Sequence, residues 1–219
     1  MARLLSTKKL KINQKDLILN AGIALIEYNA LKTENIPFSM PKTVENAIFS
    51  SKNAVNAVFP DEDVTLQTSK GSLTSIFCVG ERTSELLRKK GQKIVKTANY
   101  GDELANFIVK NHKSEEFHFF CGNKRRDVIP ETLKEAGISL FEIKTYETSL
   151  KFRQFHQNFD GILFFSPSGV ESFINANASK YRETKAVCIG KTTAAAAKPH
   201  FDTVITANST RIESVIAKA

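Results

Sequence analysis

A repeat inside the chain limits its folding options more than any other feature. Phe49-Ser50-Ser51-Lys52-Asn53-Ala54-Val55 resembles Phe164-Phe165-Ser166-Pro167-Ser168-Gly169-Val170, 115 positions later. Cys78-Val79-Gly80-Glu81-Arg82-Thr83 returns after 110 positions as Cys188-Ile189-Gly190-Lys191-Thr192-Thr193, and Thr97-Ala98-Asn99 returns after 109 as Thr206-Ala207-Asn208. The helix face of Leu104, Phe107 and Ile108 is matched by Ile212, Val215 and Ile216. Three motifs in one order at nearly one spacing predict two similar units.

Short apolar runs alternate with segments of helical periodicity. Strands are predicted at residues 2–6, 23–29, 47–50, 75–79, 94–97, 117–121, 161–165, 186–189 and 203–206. Continuous apolar strands separated by amphipathic helices predict an α/β fold, with parallel sheets covered on both faces. Gly22, Gly91 and Gly137 read as helix ends, and Pro130 suits the first turn of a helix because its missing N–H costs nothing there. Residues 30–38 and 142–150 are extended and poor in turn residues. If the N-terminal strands pack with the C-terminal set, these segments are the only crossings. The division is then a discontinuous domain, 1–30 plus 149–219, an inserted domain, 38–142, and linker strands, 31–37 and 143–148, with a cleft between the domains. Periodicity alone leaves this open against two sequential domains.

The chain carries 31 Lys and Arg against 23 Asp and Glu, a formal net charge of +8. That surplus favours an anionic partner. The cations are dispersed, with no basic tail, and 16 of the 20 aromatic residues are Phe at apolar positions suited to a core, so nucleic acid is not the expected ligand. No apolar run is long enough for a membrane helix, and Met1-Ala2-Arg3-Leu4-Leu5-Ser6-Thr7-Lys8-Lys9 is too charged for a signal peptide. Cys78, Cys121 and Cys188 sit in apolar runs without a CxxC pair, which reads as buried, reduced thiols in a cytoplasmic protein. The sequence has no GxGxxG after a strand, no phosphate-binding P-loop and no GxSxG. Its histidines, 112, 118, 156 and 200, lack metal-ligand spacing.

The strand-end loops carry the remaining chemistry: Ser50-Ser51-Lys52, Gly80-Glu81-Arg82-Thr83, Gly122-Asn123-Lys124-Arg125-Arg126, Ser166-Pro167-Ser168-Gly169 and Gly190-Lys191-Thr192-Thr193. Each follows a strand and opens a helix, where free N–H groups attract anions. The plainest reading makes Ser51, Thr83, Ser168 and Thr193 helix N-caps. Taken together with their cations, the loops describe a site for a ligand with several carboxylates or phosphates. Tyr146, in Lys144-Thr145-Tyr146-Glu147-Thr148, lies in the second linker. There it is either half-buried packing or a phenol able to donate to a departing group.

Over nearly its whole length the chain resembles the uroporphyrinogen-III synthase family. The resemblance rests on Cys121-Gly122-Asn123-Lys124-Arg125-Arg126 with Ile129-Pro130, then Tyr146-Glu147-Thr148. It continues through Phe164-Phe165-Ser166-Pro167-Ser168-Gly169-Val170 and Ile189-Gly190-Lys191-Thr192-Thr193-Ala194. It implies two flavodoxin-like α/β domains, one inserted in the other, joined by a two-stranded antiparallel linker and enclosing the active-site cleft. The implied reaction is closure of the linear tetrapyrrole hydroxymethylbilane with inversion of ring D and loss of water, without metal or organic cofactor. Tyr146 falls on the family tyrosine proposed to assist hydroxyl loss. Ser51, Thr83, Ser168 and Thr193 fall on hydroxyl positions lining the cleft, and Asn123, Ser166, Gly169 and Thr192 join them as substrate-binding positions. Arg125, Lys191 and Lys52 are the cations expected to pair with substrate carboxylates. The first strand ends Thr7-Lys8 where the family commonly has Thr-Arg, and Lys lacks the planar fork of Arg. A monomer is expected, in transient contact with the enzyme that makes hydroxymethylbilane. The alternative is a catalytically inactive relative that binds a tetrapyrrole or another polyanion.

Overall fold

A computed structural model describes residues 1–60, 71–125 and 127–219. In chain order its elements are β1 (Arg3–Ser6), α1 (Ile12–Leu19), β2 (Ala24–Glu27), β3 (Leu31–Asn35), β4 (Thr43–Phe49), α2 (Lys52–Val58), β5 (Ser72–Val79), α3 (Glu81–Lys89), β6 (Ile94–Ala98) and α4 (Gly101–Asn111). There follow β7 (Phe117–Gly122), α5 (Val128–Glu135), β8 (Leu140–Leu150), β9 (Gly161–Phe164), α6 (Pro167–Asn177), β10 (Lys185–Cys188), α7 (Lys191–Ala197), β11 (Val204–Thr206) and α8 (Ile212–Ile216). The chain forms two compact units: unit 1 is Met1–Lys32 with Ser149–Ala219, and unit 2 is Thr33–Thr148.

Unit 1 holds a sheet in the order β11-β10-β9-β1-β2, parallel at every pairing. In chain order this is the flavodoxin-like arrangement, in which the second strand lies outside the first. The sheet of unit 2 runs β3-β8-β7-β4-β5-β6 and is parallel from β8 to β6. Setting β4, β5, β6, β7 and β8 against β9, β10, β11, β1 and β2 makes the two orders identical. The sequence repeat follows the same correspondence: Phe49 and Phe164 close β4 and β9, Cys78 and Cys188 lie at the ends of β5 and β10, and Thr97 and Thr206 at the ends of β6 and β11. The sequence therefore reads as a tandem array in which unit 1 is assembled from the last three strands of the array and the first two.

Residue alternation explains why these strands pair in parallel. On β7, Phe117, Phe119 and Cys121 enter the cluster under α4 and α5, while Phe120 enters the opposite cluster with Phe49, Ala54 and Leu87. On β9, Ile162 and Phe164 face one core, and Leu163 faces the other with Leu4, Ile18 and Val187. Strands apolar on both faces need helices on both faces, which βαβ crossovers supply. The phenylalanines belong to this core, seven of them being among the largest fully buried side chains. The helices end as the sequence predicts, at Gly22, Gly91 and Gly137, with φ of 72°, 73° and 72° in the left-handed region.

Phe49 and Phe120 stack with ring centroids 5.0 Å apart and are fully buried. Phe120→Ala should destabilise unit 2 by about 3–5 kcal/mol. Amide exchange during urea unfolding should locate that loss on β7 and leave β9 unchanged. A second expectation concerns alkaline pH. The three cysteines are free and buried; burial pushes Cys188 up to about 12, while burial with the nearby Glu142 carboxylate pushes Cys121 up to about 11. Burial also pushes the Tyr28 phenol up to about 12. The folded state holds protons that the unfolded chain gives up. This stabilisation is complete below the ordinary thiol value of 9.0 and is lost as pH rises toward 12. Urea midpoints should be level to about pH 9 and then fall, with a shallower fall in Cys188→Ala.

Candidate active site

In a parallel α/β sheet, ligands bind beyond the carboxyl ends of the strands, at the point where strand order reverses. In unit 2 that point lies between β4 and β7. A pocket of about 630 Å³ opens there, lined by Ser50 and Ser51 after β4, Gly122, Lys124 and Arg125 after β7, and Tyr146 from β8. Asn99, Tyr100 and Asp102 close its other side, from the turn between β6 and α4. Tyr146 is half-buried, with its ring against the β4–β5–β7 core, and among the described residues its phenol oxygen has no hydrogen-bond partner. The result is a donor set in a partly apolar wall and open to a ligand.

Ser51 is the N-cap of α2 and accepts from the Asn53 N–H at 3.1 Å. The cap ahead of α6 is Ser166, not Ser168: its Oγ accepts from the Gly169 N–H at 3.0 Å, and Ser168 is the second helical residue. Thr83 and Thr193 are also inside their helices, each at the third position, with only 6% and 2% of their surface exposed. Gly80 and Gly190 take the cap positions, and Gly80 does so at φ 87°. The two threonine hydroxyls are therefore largely withdrawn from solvent, because the first helical turn lays them against the sheet. Lys191 and Thr192, just ahead of Thr193, are exposed.

Two expected ligand contacts have partners inside the protein. The Asn123 amide donates to the Thr148 carbonyl at 3.2 Å and accepts from the Thr148 N–H at 2.8 Å. The Arg125 guanidinium is held by Glu142 through two bonds, one of them 2.7 Å, and by Asp127 through a third. This bidentate pair pushes the arginine well above its ordinary range and ties up its fork. Sequence spacing could not reveal it, because Glu142 arrives from a different strand. Tyr100 and Asn99 also escape the sequence reading as pocket residues, although they directly follow the repeated Thr97-Ala98 motif that marks the end of β6.

At the equivalent point of unit 1, between β1 and β9, Gly169 brings its Cα face close to the Ser166 and Thr7 hydroxyls: a Cβ there would lie 3.3 and 3.5 Å from them. The electrostatics of the two units differ sharply. Unit 1 carries 15 Lys and Arg against 7 Asp and Glu, and unit 2 carries 16 against 16. The whole net charge belongs to unit 1. Its strand-end segments, 7–11, 28–30, 165–169, 189–193 and 207–211, contain Lys8, Lys9, Lys11, Lys191 and Arg211, and the carboxylate of Glu27, which ends β2, is held by the Leu10 N–H at 2.6 Å and by Lys15. In unit 1 the first turns of α1, α6 and α7 hold no acidic residue and α8 has Glu213; in unit 2, α2 has none, while α3 has Glu81, α4 has Asp102 and Glu103, and α5 has Glu131. A carboxylate in the first turn already answers the positive helix end, so an anionic ligand gains less there.

Among the described residues, no helix is long and apolar enough to cross a membrane, and no group of three or more His, Cys, Asp and Glu could hold a metal ion. The sequence profile of uroporphyrinogen-III synthase HemD matches residues 14–217. Uroporphyrinogen-III synthase of Saccharomyces cerevisiae is 28% identical over 155 residues, covering 59% of this chain and 56% of the yeast protein. The chain thus spans little more than half the length of that relative. Among solved structures, uroporphyrinogen-III synthetase from Helicobacter pylori 26695 has a TM-score of 0.66 at 17% identity, over 100% of this chain and 98% of that one. A mutant uroporphyrinogen III synthase from Thermus thermophilus has a TM-score of 0.59 at 14% identity, over 100% and 97%. At these identities the structures speak for the fold, and the profile, which runs through both units, speaks for the lineage: the chain belongs to the uroporphyrinogen-III synthase family.

Proposed function

We propose that this protein is an active uroporphyrinogen-III synthase, closing hydroxymethylbilane to the macrocycle with inversion of ring D and loss of water. The observation that carries this reading is the Tyr146 phenol on the wall of the unit 2 pocket, without a hydrogen-bond partner among the described residues, in a chain of this family. The electron-rich pyrroles supply the push for hydroxide loss, so the protein needs one hydrogen-bond donor at the departing oxygen. Tyr146 is that donor. The substituted carbon of ring D attacks the methylene that hydroxide has left, giving a spiro intermediate. Its older bond to the neighbouring methylene then breaks, and that methylene bonds to the other α-carbon of ring D, which loses its proton. The ring is thereby turned over, and the departing hydroxide leaves as water. The bilane closes without inversion on its own, so catalysis consists of holding one bent conformer against a competing background reaction.

The cations at the strand ends of unit 1 support a polyanionic substrate. Within unit 1, Lys8, Lys9 and Lys191, the Thr192 hydroxyl and the N–H group of Ser168 at the start of α6 suit carboxylates of the substrate. In the unit 2 pocket, Ser51 and Lys124 assist Tyr146. The protein acts as a cytoplasmic monomer, in transient contact with the enzyme that makes its unstable substrate.

The test is an isomer assay with freshly generated hydroxymethylbilane and purified protein, the product being oxidised and the porphyrin isomers separated. Isomer III above a no-enzyme control is the expected result. Only isomer I at the control rate from folded protein would leave a polyanion-binding relative as the better reading. Tyr146→Phe should lower kcat by about a hundredfold, well beyond Ser51→Ala. Tyr100→Phe, at an exposed phenol on the same pocket, should stay near the parent. Lys191→Gln should raise KM about tenfold at low salt with kcat nearly unchanged, and the difference should shrink as salt is added.

A further inference from the structure

We propose that Gly122 and Asn123 are positioning residues that together form the seat of Tyr146, a role that rests on the reading of Tyr146 as the donor. A Cβ built on Gly122 would clash with one edge of the Tyr146 ring, against Cε2 and Cζ and 2.9 Å from Cδ2. The ring therefore lies directly on the bare Cα of Gly122. Gly122 is not among the positive-φ glycines, so closeness to the ring, and not backbone freedom, is what requires a glycine.

The strand under the ring is fixed on both sides. β7 and β8 pair Cys121 with Lys144 and then Gly122 with Tyr146, skipping Thr145. An irregularity of this kind re-aims the following side chain. Thr145 is fully buried and donates to the Cys121 carbonyl at 3.4 Å, which anchors the skipped residue. Beyond the end of β7, the Asn123 amide takes over the ladder by exchanging two hydrogen bonds with the Thr148 peptide. Tyr146 is thus held between a bulge and a side-chain clamp, with a glycine under its ring. Asn123 acts on the reaction through this strand, because both polar ends of its amide are already bonded to Thr148.

The experiment combines kinetics with ring NMR on protein carrying 13C-labelled tyrosine, with the Tyr146 signal assigned by its loss in Tyr146→Phe. Gly122→Ala should move that signal and lower kcat by about a hundredfold, with KM within about threefold. Product should shift toward isomer I. In a Tyr146→Phe background the same Gly122→Ala change should cost almost nothing further in kcat, since the phenol it misplaces is already gone. An equal loss in both backgrounds would mean general damage to the pocket and would overturn the proposal. An unmoved ring signal with parent kcat would overturn it too. If Gly122→Ala lowers the yield of folded protein, Asn123→Ala, at an exposed side chain, carries the same two readouts, with an expected loss of about tenfold. Parent-like activity in Tyr146→Phe would remove the phenol from the reaction and the seat with it, and a ring signal still moved by Gly122→Ala would tell that failure from a wrong geometry.

Discussion

Two-faced burial is the constraint on which the rest of this structure depends. Strands such as Phe117-His118-Phe119-Phe120-Cys121 place large apolar groups on both sides, so neither face of the sheet can meet water. Helices must cover both, and the chain can supply them only by right-handed crossovers that bring every strand out at the same edge. That edge then collects every strand end and helix start in the unit. Hydroxyls, glycines and cations gather there because no other part of the sheet is open. The pocket beside Tyr146 follows from this packing.

The two copies share a scaffold and have diverged in charge. At the start of α3 the repeat reads Glu81-Arg82-Thr83, and at the start of α7 it reads Lys191-Thr192-Thr193. The threonine is kept inside the first turn in both, where it packs against the sheet. The exposed position at the head of each helix carries opposite signs. In one copy the helix end meets a carboxylate in its own first turn; in the other the first turn holds no carboxylate and begins with a cation. A formal charge of +8 read over the whole chain conceals this, because it averages a unit with a large surplus and a unit with none.

Most of the fold could be read from the chain because it depends on local patterns. Apolar runs, helix-ending glycines and the repeat each leave a signature within a few residues. The parts that could not be read depend on partners far away in sequence. Arg125 looks like a free cation until β8 brings Glu142 beside it, and Asn123 looks like a ligand contact until the Thr148 peptide meets its amide. Ser168 looks like a cap because it has the right side chain, but the helix begins one residue earlier and Ser166 takes that place. The Thr83 and Thr193 hydroxyls are legible as helix-start residues. Their burial is not, since it depends on where the sheet lies under the turn.

The assembly of unit 1 from the two ends of a tandem array has a consequence for synthesis on the ribosome. Unit 2 is contiguous and has all its strands once β8 has emerged. β1 is central in its own sheet, and its neighbour β9 begins at Gly161. Leu4 and Leu5, buried in the finished protein, therefore leave the ribosome long before the strand that covers them. At ordinary translation rates the interval is on the order of ten seconds. Within unit 1, the segment made first is thus the one that waits longest for its covering strand, with apolar side chains exposed meanwhile.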